Sequence, residues 1–178
     1  MAGPDLVQLA RLVQLLLAAR VSEPIADHPA DWKAWGLLVP HVFALLNTSA
    51  PALDIGDLAA LLTAAASAID FLDWSGAPQA GYDLGCAAVA QGTRLPPEDP
   101  ALIHLRSRFA YAIGALGRWD EAEGVYRQVL KDQEALGDDH PDTLATRHEL
   151  ARAVGEQGRW SEAEAGFRAV LRAQAGAR

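Results

Sequence analysis

Gly117-Arg118-Trp119-Asp120-Glu121-Ala122-Glu123 recurs 41 residues later as Gly158-Arg159-Trp160-Ser161-Glu162-Ala163-Glu164. The likeness extends at the same spacing on both sides. Tyr126-Arg127-Gln128-Val129-Leu130 matches Phe167-Arg168-Ala169-Val170-Leu171, and Phe109-Ala110 and Ile113 match Leu150-Ala151 and Val154. A self-similar unit of this length is a supersecondary element that buries its apolar face on a neighbouring copy.

Each unit reads as helix, tight turn, helix. Leu102, Leu105, Phe109, Ile113 and Leu116 recur at steps of three and four, which defines one apolar face of a helix. Gly117 ends that helix, since glycine takes left-handed dihedrals cheaply. The second helix is expected from about Trp119 to Leu136, with Ala122, Val125, Tyr126, Val129 and Leu130 on its inner stripe. Ala122 and Ala163 suit a close helix crossing. Trp119, Trp160, Tyr126 and Phe167 are expected to supply large buried area. Between the units, Gly137 suits a helix end and Pro141 the first turn of the next helix.

A third, worn copy is expected upstream, in helices from about Asp54 to Leu72 and Ala77 to Gln91. Trp74, Ala77 and Leu84 then align with Trp119, Ala122 and Val129 at a spacing of 45, and Gly76, Gly81 and Gly85 weaken the second helix. Asp27-His28-Pro29 introduces a helix over about 31–46 that Pro40 is expected to kink. Trp32 and Trp35 read as core. Connectors fall at 21–30, 47–53 and 92–100. The organisation is therefore an N-terminal helical region over 1–53, a degenerate hairpin over 54–95, and repeats over 96–137 and 138–178.

Composition narrows the function. With 51% hydrophobic and 21% charged residues the chain can build a core, and Ala and Leu favour helix. A net charge of −8 repels phosphate backbones, so no nucleic-acid partner is expected. The apolar stretch from Leu6 to Val21 is broken by Gln8, Arg11, Gln14 and Arg20 and reads as neither a membrane span nor a signal peptide. No membrane partner is expected, and the lone Cys86 fits a reducing cytoplasm and a small buried hydrophobe.

Chemistry-bearing patterns are sparse. His28, His41, His104, His140 and His148 form no metal spacing, and the sequence has no Gly-x-Ser-x-Gly elbow. Neither metal nor cofactor is expected. Glu121/Glu123 and Glu162/Glu164 open second helices, where carboxylates favour the helix dipole. His28 and His140 suit capping and turn roles.

The Thr143-Leu144, Leu150-Ala151, Gly158–Glu164 and Phe167 pattern resembles the tetratricopeptide repeat in its longer kinesin-light-chain style, with a Gly-Asp-Asp-His-Pro-Asp-Thr connector at 137–143. The resemblance implies an all-α, right-handed stack of antiparallel hairpins with an N-terminal helical cap, and a non-enzymatic protein- or peptide-binding scaffold. It also implies that the first helix of each hairpin lines a groove. The inward positions are then His104, Ser107, Arg108 and Tyr111, followed by Ala145, His148, Glu149, Arg152 and Glu156. Arg108 and Arg152 would offer positive charge to an anionic peptide.

Asp27-His28-Pro29-Ala30-Asp31-Trp32 and Leu37-Leu38-Val39-Pro40-His41-Val42 look like the segment joining ATPase and repeats in actinobacterial NB-ARC (STAND-type) proteins. Leu12-Val13-Gln14 looks like the end of the preceding winged-helix region. That implies a sensor or regulatory arm, either excised or a short stand-alone relative. The chain lacks a Gly-x-x-x-x-Gly-Lys-Ser/Thr loop, so nucleotide hydrolysis is not carried over. Two alternatives stand beside this reading: a self-associating adaptor, and a small enzyme with an inter-helix pocket around His41, Trp35 and Cys86. Leu6, Leu9, Val13 and Leu16 lie on a broad apolar stripe, which leads us to expect a homodimer or an obligate partner built on residues 5–20.

Overall fold

A computed structural model describes residues 32–176. The expected N-terminal helix with Leu6, Leu9, Val13 and Leu16, and the His28 connector, lie outside the described residues. Those described form helices α1 (Trp32–Thr48), α2 (Ile55–Trp74), α3 (Pro78–Gly92), α4 (Pro100–Ala115), α5 (Trp119–Asp132), α6 (Pro141–Glu156) and α7 (Trp160–Gly176), with no strand among them. Two 3-10 turns, Ala50–Ala52 and Glu134–Leu136, sit in connectors. The chain divides into two compact units within α4, after Phe109.

In the first unit, α2 packs against α1 and α3. Asp54 caps α2 by accepting from the Asp57 amide at 2.8 Å. Leu58, Leu61, Leu62, Ala65, Ala68 and Ile69 are buried along it. It is long and apolar enough to cross a bilayer by length and composition, which the reading of Leu6–Val21 did not anticipate. Here its apolar residues form the core of the unit, together with Trp35, Val42, Leu46 and Leu84. The α1 helix runs through Pro40 without a break. The Arg94 guanidinium ties down the turn between α1 and α2, donating to the Ala50 and Leu53 carbonyls at 2.6 and 2.7 Å.

The α2–α3 turn corrects the register of the worn copy. Gly76, Gly117 and Gly158 all have positive φ, at 78°, 76° and 81°. After each, the next amide donates back across the turn: Ala77 to Leu72 O at 2.8 Å, Arg118 to Ile113 O at 3.2 Å and Arg159 to Val154 O at 3.3 Å. These are Schellman closures, spaced 41 apart (76, 117, 158) rather than 45. Trp74 therefore ends a first helix and is exposed, whereas Trp119 opens a second one. Pro78 occupies the first turn of α3.

The glycines of α3 have a packing role. A Cβ on Gly85 would lie 2.2 Å from Phe109 Cδ2, and one on Gly92 would lie 2.6 Å from Leu102 Cδ1. They cost helix propensity but admit large side chains close to the backbone. Cys86 is exposed, contrary to the buried expectation. The helix turns Leu84, Gly85 and Ala88 inward, and position 86 falls off that face.

In the second unit, α6 packs against both α5 and α7. Ala122, Tyr126, Val129, Ala151, Val154, Ala163 and Val170 are buried there. The α6–α7 crossing is close: a Cβ on Gly166 would meet the Ala151 Cβ at 2.9 Å, and one on Gly155 would meet the Ala163 Cβ at 3.3 Å. Ala122→Leu and Ala163→Leu are therefore each expected to destabilise by about 1–3 kcal/mol through overpacking. Urea unfolding checks this, and variants that unfold like the parent would place both alanines outside the crossings.

Two expectations fail here. The second helix stops at Asp132, short of Leu136, because the buried Gln133 shares its amide between Val129 O and Leu130 O and the chain tightens into a 3-10 turn. Trp160 is 70% exposed, so it does not supply the burial expected of it.

Candidate protein-binding faces

The proposed inward residues on α4, His104, Ser107, Arg108 and Tyr111, follow helical spacing on one face. In the first unit, His104 is exposed, while Ser107 and Arg108 are half-buried. Ser107 Oγ donates to its own turn, at Ile103 O, 3.1 Å away. Arg108 pairs with Asp70 on α2 at 3.5 Å. Burial pushes the Asp70 carboxyl above its ordinary value, and the Arg108 charge only partly opposes that.

In the second unit, α6 presents Ala145, His148 and Glu156 exposed, and Glu149 and Arg152 half-exposed. The Arg152 guanidinium lies 4.9 Å from the Tyr111 ring centroid and 5.2 Å from that of Trp119. Arg152 Nε donates to Glu149 at 2.9 Å. His148 stands edge-on to Phe167 with centroids 5.1 Å apart. Arg108 and Arg152 are thus each paired with a carboxylate, Asp70 and Glu149 respectively. The face presented by α6 is mixed in charge.

Sequence reasoning missed a polar cluster centred on Glu123 in this unit. Glu123 is buried and accepts from Arg127 at 3.0 and 2.6 Å, from Gln157 Nε2 at 2.7 Å and from Arg159 Nη1 at 2.7 Å. Gln157 also donates to Trp119 O at 3.3 Å. The start of α5 is therefore tied to the α6–α7 turn, and the role of Glu123 exceeds the dipole effect assigned to it. Beneath Trp119 a glycine opens space: a Cβ on Gly114 would lie 2.4 Å from Trp119 Cζ3. Gly155 holds the corresponding place beside Trp160. The recurrence of Gly114 and Gly155 at the repeat spacing was the available signal.

Burial alone would raise the Glu123 carboxyl. The hydrogen bonds from Gln157 and Arg127, with the Arg127 and Arg159 charges, outweigh burial and hold it below the ordinary 4.5. A depressed folded-state pKa contributes stability that is present above the unfolded value and lost as pH falls through the folded value. Glu123→Gln is expected to cost about 1–2 kcal/mol near neutral pH, modest because both arginines remain partly in water. The gap between variant and parent should close on acidification below 4.5. Thermal melts across that window check the sign, and a gap that widens in acid would contradict it.

His140 has the capping role expected of it, accepting from the Asp142 amide through Nδ1 at 3.2 Å. Arg147 pairs with Asp138 and fastens the connector to α6. Trp35 is enclosed by the core and offers no ring face to a ligand, while His41 and Cys86 are exposed. The pocket imagined around these three is not formed as an enclosed site.

Residues 101–175 match the family model of the tetratricopeptide repeat. The chain is similar over 97% of its length to the crystal structure of the Podosopora anserina putative kinesin light chain nearly identical TPR-like repeats, at 23% identity, 89% coverage of that chain and a TM-score of 0.63. A single-residue variant of those repeats gives a TM-score of 0.64 at the same 23% identity, with 97% of this chain and 88% of that chain covered. BtubC (BKLC) from P. vanneervenii is similar over 81% of this chain and 56% of its own, at 18% identity and a TM-score of 0.59. No curated protein matches the chain. The fold is thus an all-helical tetratricopeptide-like repeat fold, of a kind that generally mediates protein–protein contact.

Proposed function

We propose that the protein is a non-enzymatic scaffold that holds a protein or peptide ligand against the groove-lining positions of the first helix of each hairpin, α6 foremost. The observation that carries this reading is the fixed polar row on α6. Arg152 is held between Glu149 and two aromatic rings, with His148 set against Phe167. Side chains held this way lose little further entropy on binding. Glu149 and Glu156 alternate with Arg152 and His148, which suits a ligand of mixed charge better than a purely anionic tail. His104, Ser107 and Arg108 supply a similar row on α4.

The resemblance of residues 27–42 to the junction segment of NB-ARC proteins favours a sensor or regulatory arm. Such an arm would report ligand binding to an ATPase module. The test is substitution on each row separately. Arg152→Glu and Arg108→Glu are each expected to weaken binding to the physiological partner by about tenfold while the helical circular dichroism is kept. Unchanged affinity in both folded variants would move the ligand off these rows.

A further inference from the structure

The α2–α3 hairpin carries one sign of charge. From Val42 to Thr93 the sequence holds five aspartates, Asp54, Asp57, Asp70, Asp73 and Asp83, and no Glu, Lys, Arg or His. Arg94, the next cation along the chain, is bound to the Ala50 and Leu53 carbonyls. At the end of α2, Trp74 is 58% exposed. The turn that follows is fixed: the Ser75, Gly76 and Ala77 amides donate to the Phe71, Asp73 and Leu72 carbonyls at 2.9, 2.9 and 2.8 Å. Trp74 thus stands on ordered backbone with most of its surface in water, which core packing does not explain. Asp70 lies one helical turn earlier on the same face, with its side chain 28% exposed. Among the described residues its ion pair is with Arg108, through one nitrogen at 3.5 Å. Burial, joined by the Asp73 charge, holds the Asp70 carboxyl above its ordinary value although Arg108 opposes both. A further cation on the open side would favour the ionised form.

We propose that Trp74 and Asp70 form a subsite for one arginine side chain from a basic segment of a partner protein. The guanidinium lies flat on the indole and pairs with the Asp70 carboxyl. Arginine suits the place better than lysine, because a planar group can stack and donate hydrogen bonds at once. Charge complementarity selects this occupant: the hairpin around the subsite presents aspartates alone, so an acidic segment is repelled and a basic one attracted. Arg108 reaches Asp70 from α4, whereas Trp74 stands on the next turn of α2, so the two cations approach the carboxyl from different elements. The subsite rests on the ligand-binding reading above and extends it to α2. Asp70 and Trp74 precede Arg152 and Glu156 of the α6 row by 82 residues, twice the repeat spacing. One repeat position therefore holds Asp70, Tyr111 and Arg152 in successive copies, and the charge it selects in a ligand changes from copy to copy.

The probe is a short capped Gly/Ser peptide with one central arginine, and the same peptide with citrulline is its uncharged counterpart. The whole chain is isotopically labelled at its tryptophan nitrogens and titrated by nuclear magnetic resonance. The arginine peptide should shift the Trp74 indole resonance saturably and leave that of Trp160 in place, although Trp160 is 70% exposed. The citrulline peptide should bind about tenfold more weakly. Trp74→Ala, at an exposed position, and Asp70→Asn should each weaken binding of the arginine peptide by about fivefold or more in calorimetry. Arg152→Glu, which tests the α6 row, should leave this binding unchanged, so the two readings fail separately. Equal affinity for the two peptides would overturn the proposal, as would binding that survives Trp74→Ala or a Trp160 shift that matches the Trp74 shift. Binding seen only after Arg11→Gln and Arg20→Gln would overturn it in favour of the chain's own N-terminal residues as occupant. Concentration-dependent dimerisation abolished by Trp74→Ala would overturn it in favour of a second copy.

Discussion

Tyr126→Ala is expected to lower stability by about 3–5 kcal/mol, the cost of deleting a large enclosed aromatic. Tyr126 is 1% exposed and sits on the inner stripe of α5. Its counterpart Phe167 is only half-buried, so Phe167→Ala should cost distinctly less. The effect comes from lost apolar burial together with a cavity that helices fixed by Ala122 and the Glu123 cluster cannot close. Urea unfolding followed by hydrogen exchange at α5 and α6 amides measures it within the second unit. Equal losses at Tyr126 and Phe167 would mean that the two hairpins are equally covered, and the difference in their surroundings would disappear.

The second large effect lies in the first unit. Trp35→Ala is expected to cost about 3–5 kcal/mol, whereas Trp160→Ala should cost less than about 1 kcal/mol. Both are tryptophans near the start of a helix, but Trp35 is 1% exposed and Trp160 is 70% exposed. Their contrast separates residue type from burial. Denaturant melts of the two variants decide it, and a Trp160 variant as damaged as the Trp35 variant would show that α7 is covered by something these residues do not reveal.

What the residues reveal before folding follows from distance along the chain. The 41-residue spacing, the turn glycines Gly117 and Gly137 and the buried Ala122 and Ala163 were legible, because periodicity and turn chemistry act over a few residues, whereas Gly76 read as a weakness of the helix that follows it. The Glu123 cluster was not, because Gln157 and Arg159 reach it from the following hairpin and no local pattern marks a carboxylate for burial. Gly85 read as a defect of α3 and Gly92 as the start of a connector, because the side chains that fill their space, Phe109 and Leu102, lie on another helix. Trp74 misled for a related reason: an aromatic and a small residue can be matched across copies in more than one register, and only the turn geometry chooses between them. Trp160 repeats Trp119 in sequence but not in environment, since burial belongs to the neighbour as much as to the residue. The groove-lining rows on α4 and α6 were placed by the resemblance alone, and the ion pairs of Arg108 and Arg152 emerged only from three-dimensional packing.

The central claim is that ligand binding occurs on the groove-lining row of α6 and not on the outer surface of α5. Site-specific photo-crosslinking tests it most directly. A benzophenone side chain is placed at exposed position Ala145 or His148 on α6, or at exposed Gly124 or Gln128 on α5, and each chain is irradiated with the physiological partner. The account predicts partner adducts at 145 and 148 that are lost with Arg152→Glu, and none at 124 or 128. Adducts confined to the α5 positions, or equal at all four and indifferent to Arg152→Glu, would contradict it.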